Sequence, residues 1–256
     1  MVKRSIRVLG YLALLSAATT YGIHRGLCHL EEKYPELPET GRASNLLLTP
    51  DMPTQRAAYT DIFAAKIPLQ KLSSLAQSPS QTDLEIAWAR AVLHCQILRL
   101  EGSLVGLLTK HTFASGDSGN TEFGFGPKNG SPRDLLNGVL SVQREPGADR
   151  DANGLLISWR IPDEQRLFFE KIARWGYPWR LMSGGRHEMS VSEPFEAPEQ
   201  GSSVEVRFAA SHDYEVVTEE VVQKVVPAWT LRLHKGYARF ILDRAVKEVM
   251  EASDEV

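Results

Sequence analysis

The chain runs to 256 residues, of which 43% are hydrophobic, 24% charged and 8% aromatic. That balance excludes a disordered or fibrous protein and leaves ample length for a core. Its net charge of −3 comes with no basic stripe, which argues against a nucleic-acid partner. With two cysteines, Cys28 and Cys95, a disulfide framework and a cysteine-built zinc site are both excluded.

The N-terminus departs from that average. Lys3, Arg4 and Arg7 precede a mostly apolar run from Val8 to Ile23, and the first acid is Glu31. As a helix the run rises about 24 Å, a little short of the roughly 30 Å hydrocarbon core of a bilayer. It fits a cleaved signal peptide, an uncleaved anchor or a mitochondrial presequence. Tyr11, Tyr21 and Arg25 as interfacial flanks favour the anchor. The expectation is a single-pass membrane protein of the endoplasmic reticulum or mitochondrion, attached through residues 8–23. Residues 1–30 are then a signal anchor or transmembrane helix, 31–56 a linker or wrapping arm, and 57–256 the globular domain.

A strand over "AAYTDIFAAKIP" (57–68) opens that domain and stops at Pro68. Ser80 and Thr82 are candidate N-caps of a long helix whose apolar residues recur through Leu108. Residues 111–138 form a glycine-rich excursion long enough for a lid. Its GxG pieces do not join a strand to a helix, so no dinucleotide site is expected. Strands follow over 138–145 and 154–162, then a short amphipathic helix over 163–175 with Leu167, Phe168, Ile172 and Trp175 on one face. In "RWGYPWRLMSGGRH" (174–187) the Gly184–Gly185 pair suits a tight turn needing positive φ. Trp175, Tyr177 and Trp179 there would plug one end of a cavity or line its mouth. Arg174, Arg180 and Arg186 can hold a carboxylate or phosphate, or simply stack with those aromatics at the edge of a core. Two more strands cover "RHEMSVSEPF" (186–195) and "SSVEVRFAASHDYEVV" (202–217). A long helix from near Pro227 closes the chain. Its apolar stripe is Trp229, Leu233, Tyr237, Phe240, Ile241, Ala245 and Val249, with Lys235, Arg239, Asp243, Lys247 and Glu248 opposite.

Counting in twos along the strands sorts their faces. Val204, Val206, Phe208, Ala210, His212 and Tyr214 share one face, His187 falls with Met189 and Val191, and Trp159 falls with Leu155 and Ile157. All should turn toward the last helix, while Arg186 and Asp213 project the other way, with Arg186 as a rim or solvent-facing group. Two imidazoles on the concave side of a sheet give a cavity proton-transfer capacity, so His187 and His212 are the acid/base candidates. Tyr214 can donate to a developing oxyanion. Trp159, Met189, Phe208 and Tyr237 supply the apolar wall, and Arg180 is the candidate anion contact. The competing reading is that each histidine is a core residue hydrogen-bonded to a neighbour. Without a carboxylate on the same face the two histidines fall short of a zinc or iron site, and no cofactor is expected.

The strand containing "YTDIFAAKIP", the helix ending "RLEGSLVGLL", the antiparallel strands and the closing helix together resemble the START-like (SRPBCC, helix-grip) superfamily. The segments "HDYEV", "WGYPWRLMSGGRHE" and "LHKGYARFILD" are similar to uncharacterised membrane-anchored proteins of filamentous fungi, some linked to secondary-metabolite gene clusters. The resemblance implies an α+β fold, an antiparallel sheet gripping a long C-terminal helix, with a cavity between them for a hydrophobic small molecule. It covers roughly residues 57 to 253 and carries no established catalytic residues. The function it leads to is binding of a hydrophobic metabolite, with or without cofactor-free cyclisation, isomerisation or dehydration. The alternative is a non-catalytic lipid carrier or organelle-membrane assembly factor.

Overall fold

The computed structural model describes residues 2–40, 42–108, 117–119, 124–127, 130–136, 138–148, 154–198 and 201–252, and the side chains of 2–17 and 105–108 lie outside that description. Among the described residues the order is α1 (Val2–Lys33), α2 (Asn45–Leu48), β1 (Gln55–Pro68), α3 (Leu69–Ser73), α4 (Gln81–His94), α5 (Gln96–Leu108), β2 (Asp134–Leu135), β3 (Leu140–Arg144), β4 (Leu155–Arg160), α6 (Asp163–Arg174), β5 (Gly184–Val191), β6 (Phe195–Ala197), β7 (Gly201–Glu215) and α7 (Ala228–Ala252). The protein is α+β. Its strands form one seven-stranded antiparallel sheet in the order β1-β7-β5-β4-β3-β2, with β6 paired to β7.

The sheet is built on its two long strands. β1 and β7 pair from Gln55↔Glu215 to Pro68↔Ser203, through a register shift between Ala57 and Tyr59. On the inner face Phe63, Ile67, Val191, Val204, Val206 and Phe208 meet Trp88 and Val92 of α4 and Ala238, Leu242, Ala245 and Val249 of α7. Ser80 caps α4 by accepting from the Asp83 N–H at 3.2 Å, as its spacing leads one to expect. Trp88, fully buried, donates its indole N–H to the Arg207 carbonyl at 2.9 Å and so ties α4 to the sheet. The long helix read from the sequence is two. Cys95 takes φ −49°, ψ 124° and separates α4 from α5.

Several expectations about which side chains are buried need correcting. In α7, Trp229, Leu233 and Phe240 are exposed, and the buried stripe is Ala238, Ile241, Leu242, Ala245 and Val249. Of the side expected to face water Lys247 is exposed, but Arg239 and Asp243 are covered: Arg239 donates to the Tyr34 carbonyl at 2.8 Å, and Lys33 pairs with Asp243 at 2.6 Å. The C-terminal part of α1 packs there, where a Cβ on Gly236 would strike Leu27. In α6, Leu167, Phe168 and Trp175 are exposed and Ala173 is the buried residue. Small residues sit where helices press closest, and the large aromatics sit outside.

The outer face of the sheet is covered as well. The arm of residues 34–54 crosses it, with Leu47 of α2 buried against Ile62, Leu156 and Ala209. Arg186 is therefore no rim group: it is 1% exposed. It grips Asp213 with two bonds, 2.7 and 2.9 Å, and donates to the Leu47 carbonyl at 2.9 Å. Beside it Glu188 takes hydrogen bonds from Arg144 and from the Ser44 hydroxyl.

Among the described residues no helix is long and apolar enough to cross a membrane. Most of the expected membrane segment, residues 8–17, falls where side chains lie outside the description. Of the glycine-rich excursion, 111–138, residues 111–116, 120–123, 128–129 and 137 also fall outside it.

Candidate functional site

A cavity of about 180 Å³ lies between the inner face of the sheet, α5 and α7. Its sheet side is Ile157, Trp159, His187, Met189, Phe208 and Ala210, and its helix side includes Leu98 and Glu101 of α5 and His234, Tyr237 and Ile241 of α7. Alternation along β4, β5 and β7 puts these strand residues inward, so the wall follows directly from the pleat. Leu136, also on the wall, holds φ 48°, a left-handed backbone that a leucine rarely adopts. Its N–H donates to the Asp117 carbonyl at 2.8 Å.

Trp159 and His187 are joined. The indole N–H donates to Nε2 of His187 at 3.2 Å. Because tryptophan can only donate, Nε2 is the acceptor and a neutral ring must carry its proton on Nδ1. That Nδ1–H meets no protein acceptor among the described residues. Gly185 makes this geometry possible. It lies in extended strand β5 rather than in the tight turn expected of the Gly-Gly pair, facing Trp159 on β4 and His212 on β7. A Cβ at that position would strike the Ser211 carbonyl first and then the indole at 2.9 Å, so the missing side chain makes room for both the neighbouring strand and the tryptophan.

His212 is fully buried behind the wall, and its Nε2 lies 2.6 Å from Nε2 of His234 with the rings edge-on. One proton is shared between two nitrogens. If His212 donates, His234 carries its other proton on Nδ1, and if His234 donates, its Nδ1 is a bare acceptor. Nδ1 of His212 makes no well-formed hydrogen bond, although the Tyr59 backbone lies close enough to favour its protonation weakly. Burial drives His187 down to about 3, with His234 adding to the effect. Burial likewise drives His212 down to about 2, helped by His234 and then His187. Burial also lowers His234. Burial thus favours the neutral form of all three rings at pH 7. Across the rim, Tyr237 donates to the Glu101 carboxylate, and burial together with that carboxylate pushes the phenol up.

The expected site residues separate into two groups. His187, Trp159, Met189, Phe208 and Tyr237 line the cavity, and His212 reaches it only through His234. Tyr214 does not line it. Its hydroxyl lies 3.1 Å from that of Tyr59 and accepts from the Val226 N–H at 3.3 Å, within a separate cluster around Met182. Arg180 does not line it either, being buried in an ion pair with Glu220 at 2.8 Å. Trp175, Tyr177 and Trp179 are exposed and do not line it. Sequence reasoning passed over His234. Its signal was its spacing, three, four and seven residues before Tyr237, Ala238 and Ile241, which places it on the cavity side of α7. Compared with family models, with curated proteins and with solved structures, the chain matches nothing in any of the three.

Proposed function

We propose that this cavity binds a small, largely apolar molecule carrying one oxygen acceptor, and that His187 donates its Nδ1–H to that oxygen. The observation that carries the reading is a polar donor without a protein partner among the described residues, in a mostly apolar wall. Buried polar groups are ordinarily satisfied, so a donor left open toward a cavity calls for a ligand. An apolar cavity of about 150 Å³ accommodates benzene, so 180 Å³ supports a ligand of about one ring rather than a two-chain lipid.

Any transformation there runs through neutral imidazoles. With its Nε2–H donated to His212, His234 can take a proton from a ligand at its bare Nδ1 and give it back from the same nitrogen. That suits isomerisation, in which a proton leaves one carbon and returns to its neighbour. Rings this hard to protonate are poor general acids near neutral pH, so the depressed values equally support a non-catalytic carrier of the same ligand. The pairing of first and last strands, the three helices between β1 and β2 and the long final helix support placement in the START-like superfamily. The apolar run from Val8 to Ile23 supports attachment to a membrane.

Thermal unfolding with paired single-ring compounds tests the reading. A cyclic ketone or phenol should stabilise the protein more than its hydrocarbon counterpart, and His187→Phe should abolish the difference. Equal shifts for both members of each pair, or no shift at all, would contradict it. Loss of a carbon-bound deuterium from the ketone, followed by NMR, separates isomerase from carrier.

A further inference from the structure

α1 and α7 run parallel. His24 and Glu31 meet Arg232, Leu27 lies against Gly236, and Lys33 meets Asp243. The first helix therefore leaves the domain at the end where α7 begins. From Ala18 to Ile23, beyond the His24–Arg232 contact, every residue is exposed, so roughly 9 Å of the apolar run extends past that contact.

Two other segments converge on that end. The Arg180 N–H donates to the Val225 carbonyl at 3.3 Å, and the Lys224 ammonium reaches the Ala173 carbonyl at 2.7 Å. These bonds hold the stretch after α6 beside the loop that precedes α7. Together the two segments display Trp175, 74% exposed, with Tyr177 and Trp179, and a loop tip of Val221 and Val222 at 101% and 80%. Trp229 adds a third exposed indole in the first turn of α7. Apolar surface gathered in this way marks an interaction site. Tryptophan and tyrosine concentrate where a bilayer meets water, because one part of each ring system is apolar and the other hydrogen-bonds. Lys171 lies 5.0 Å over the Trp175 ring, but Glu219 and Glu220 share this end, so ring chemistry rather than charge is the attraction.

We propose that this end of the domain rests in the headgroup layer of a lipid bilayer, with Trp175, Trp179, Trp229 and the Val221–Val222 tip at interfacial depth. The inference rests on the reading that residues 8–23 attach the chain to a membrane. It adds that the globular domain itself docks, in a fixed orientation with α1 as its post.

The full chain in phosphatidylcholine vesicles tests both levels. Co-flotation with the vesicles reads attachment. Lipid brominated near the top of its acyl chains reads tryptophan depth: wild-type emission should be strongly quenched. In the W175F/W179F/W229F variant the remaining Trp88 and Trp159 should be quenched several-fold less. A chain that floats, with both proteins quenched alike or neither quenched, overturns the docking and leaves the anchor standing. Self-association through these indoles, seen as a dimer with unquenched tryptophan, overturns it too. A full chain that does not float removes the anchor and the docking together.

Discussion

Arg186 and His187 are neighbours in β5, and the pleat sends them to opposite worlds. On the outer side, Arg186 and Asp213 form a two-bond ion pair, with Glu188, Arg144 and Ser44 beside them under the arm that carries Leu47. On the inner side, His187 lines a cavity and keeps one partner, Trp159, while its other nitrogen has no protein partner among the described residues. Both faces bury polar groups. The outer one matches each charge with its opposite and reads as architecture; the inner one leaves hydrogen-bonding capacity over, and reads as a place for a ligand. Burial alone does not mark a functional residue; burial with an unspent donor does.

The largest effect should come from breaking the outer pair. Asp213→Asn leaves the Arg186 charge buried with a weakened partner and should cost about 3–5 kcal/mol, a large part of a domain's total of roughly 5–15 kcal/mol. Replacing both partners, Asp213→Leu with Arg186→Met, should recover much of the loss, since two apolar side chains need no partners. Denaturant midpoints would show this, and a near-neutral Asp213→Asn would mean that the outer face is not structural after all.

Acid should then undo the inner face. The folded-state values of His187 and His212, about 3 and about 2, lie below the ordinary value, about 6.5, so the unfolded chain takes up protons first. Stability is complete above about pH 6.5 and falls as the pH drops toward the folded values, by about 1.4 kcal/mol per unit for each such histidine. His212→Phe should flatten that slope between pH 6.5 and 5. An unchanged slope would mean that the rings are not neutral in the folded protein.

A smaller change sharpens the geometry. Gly185→Ala should cost about 1–3 kcal/mol by overpacking against the Ser211 carbonyl and the indole, and should shift the tryptophan near-ultraviolet signal as Trp159 leaves His187. Least of all, His187→Gln should alter stability by less than about 1 kcal/mol, because a glutamine carbonyl can still accept from the Trp159 N–H. A large loss there would assign His187 to the core.

Much of this was legible in the strands. Counting in twos placed Trp159, His187, His212 and Tyr214 on one side of the sheet, because each strand obeys a local rule that a single chain reveals. The helices were less readable. Tryptophan and phenylalanine in α7 looked like core, but alanines and Leu242 pack against the sheet while Trp229 and Phe240 face out, and that misplaced stripe hid His234. Arg186 was misread because what covers it, the arm around Leu47, comes from 139 residues earlier in the chain. Tyr214 shares a face with His212, yet it sits one step farther along β7, beyond the cavity's end. A face is a local property; a cavity is made by whatever closes over it.

The central claim is that His187 offers a neutral Nδ1–H to an oxygen in the cavity. Long-range nitrogen–proton NMR of the histidine rings at pH 7 reads that state directly. The expected result is a neutral His187 ring protonated on Nδ1, whose N–H proton moves downfield when a single-ring ketone is added and stays put with the matching hydrocarbon. A ring protonated on Nε2, a charged ring, or an N–H indifferent to the ketone would contradict it.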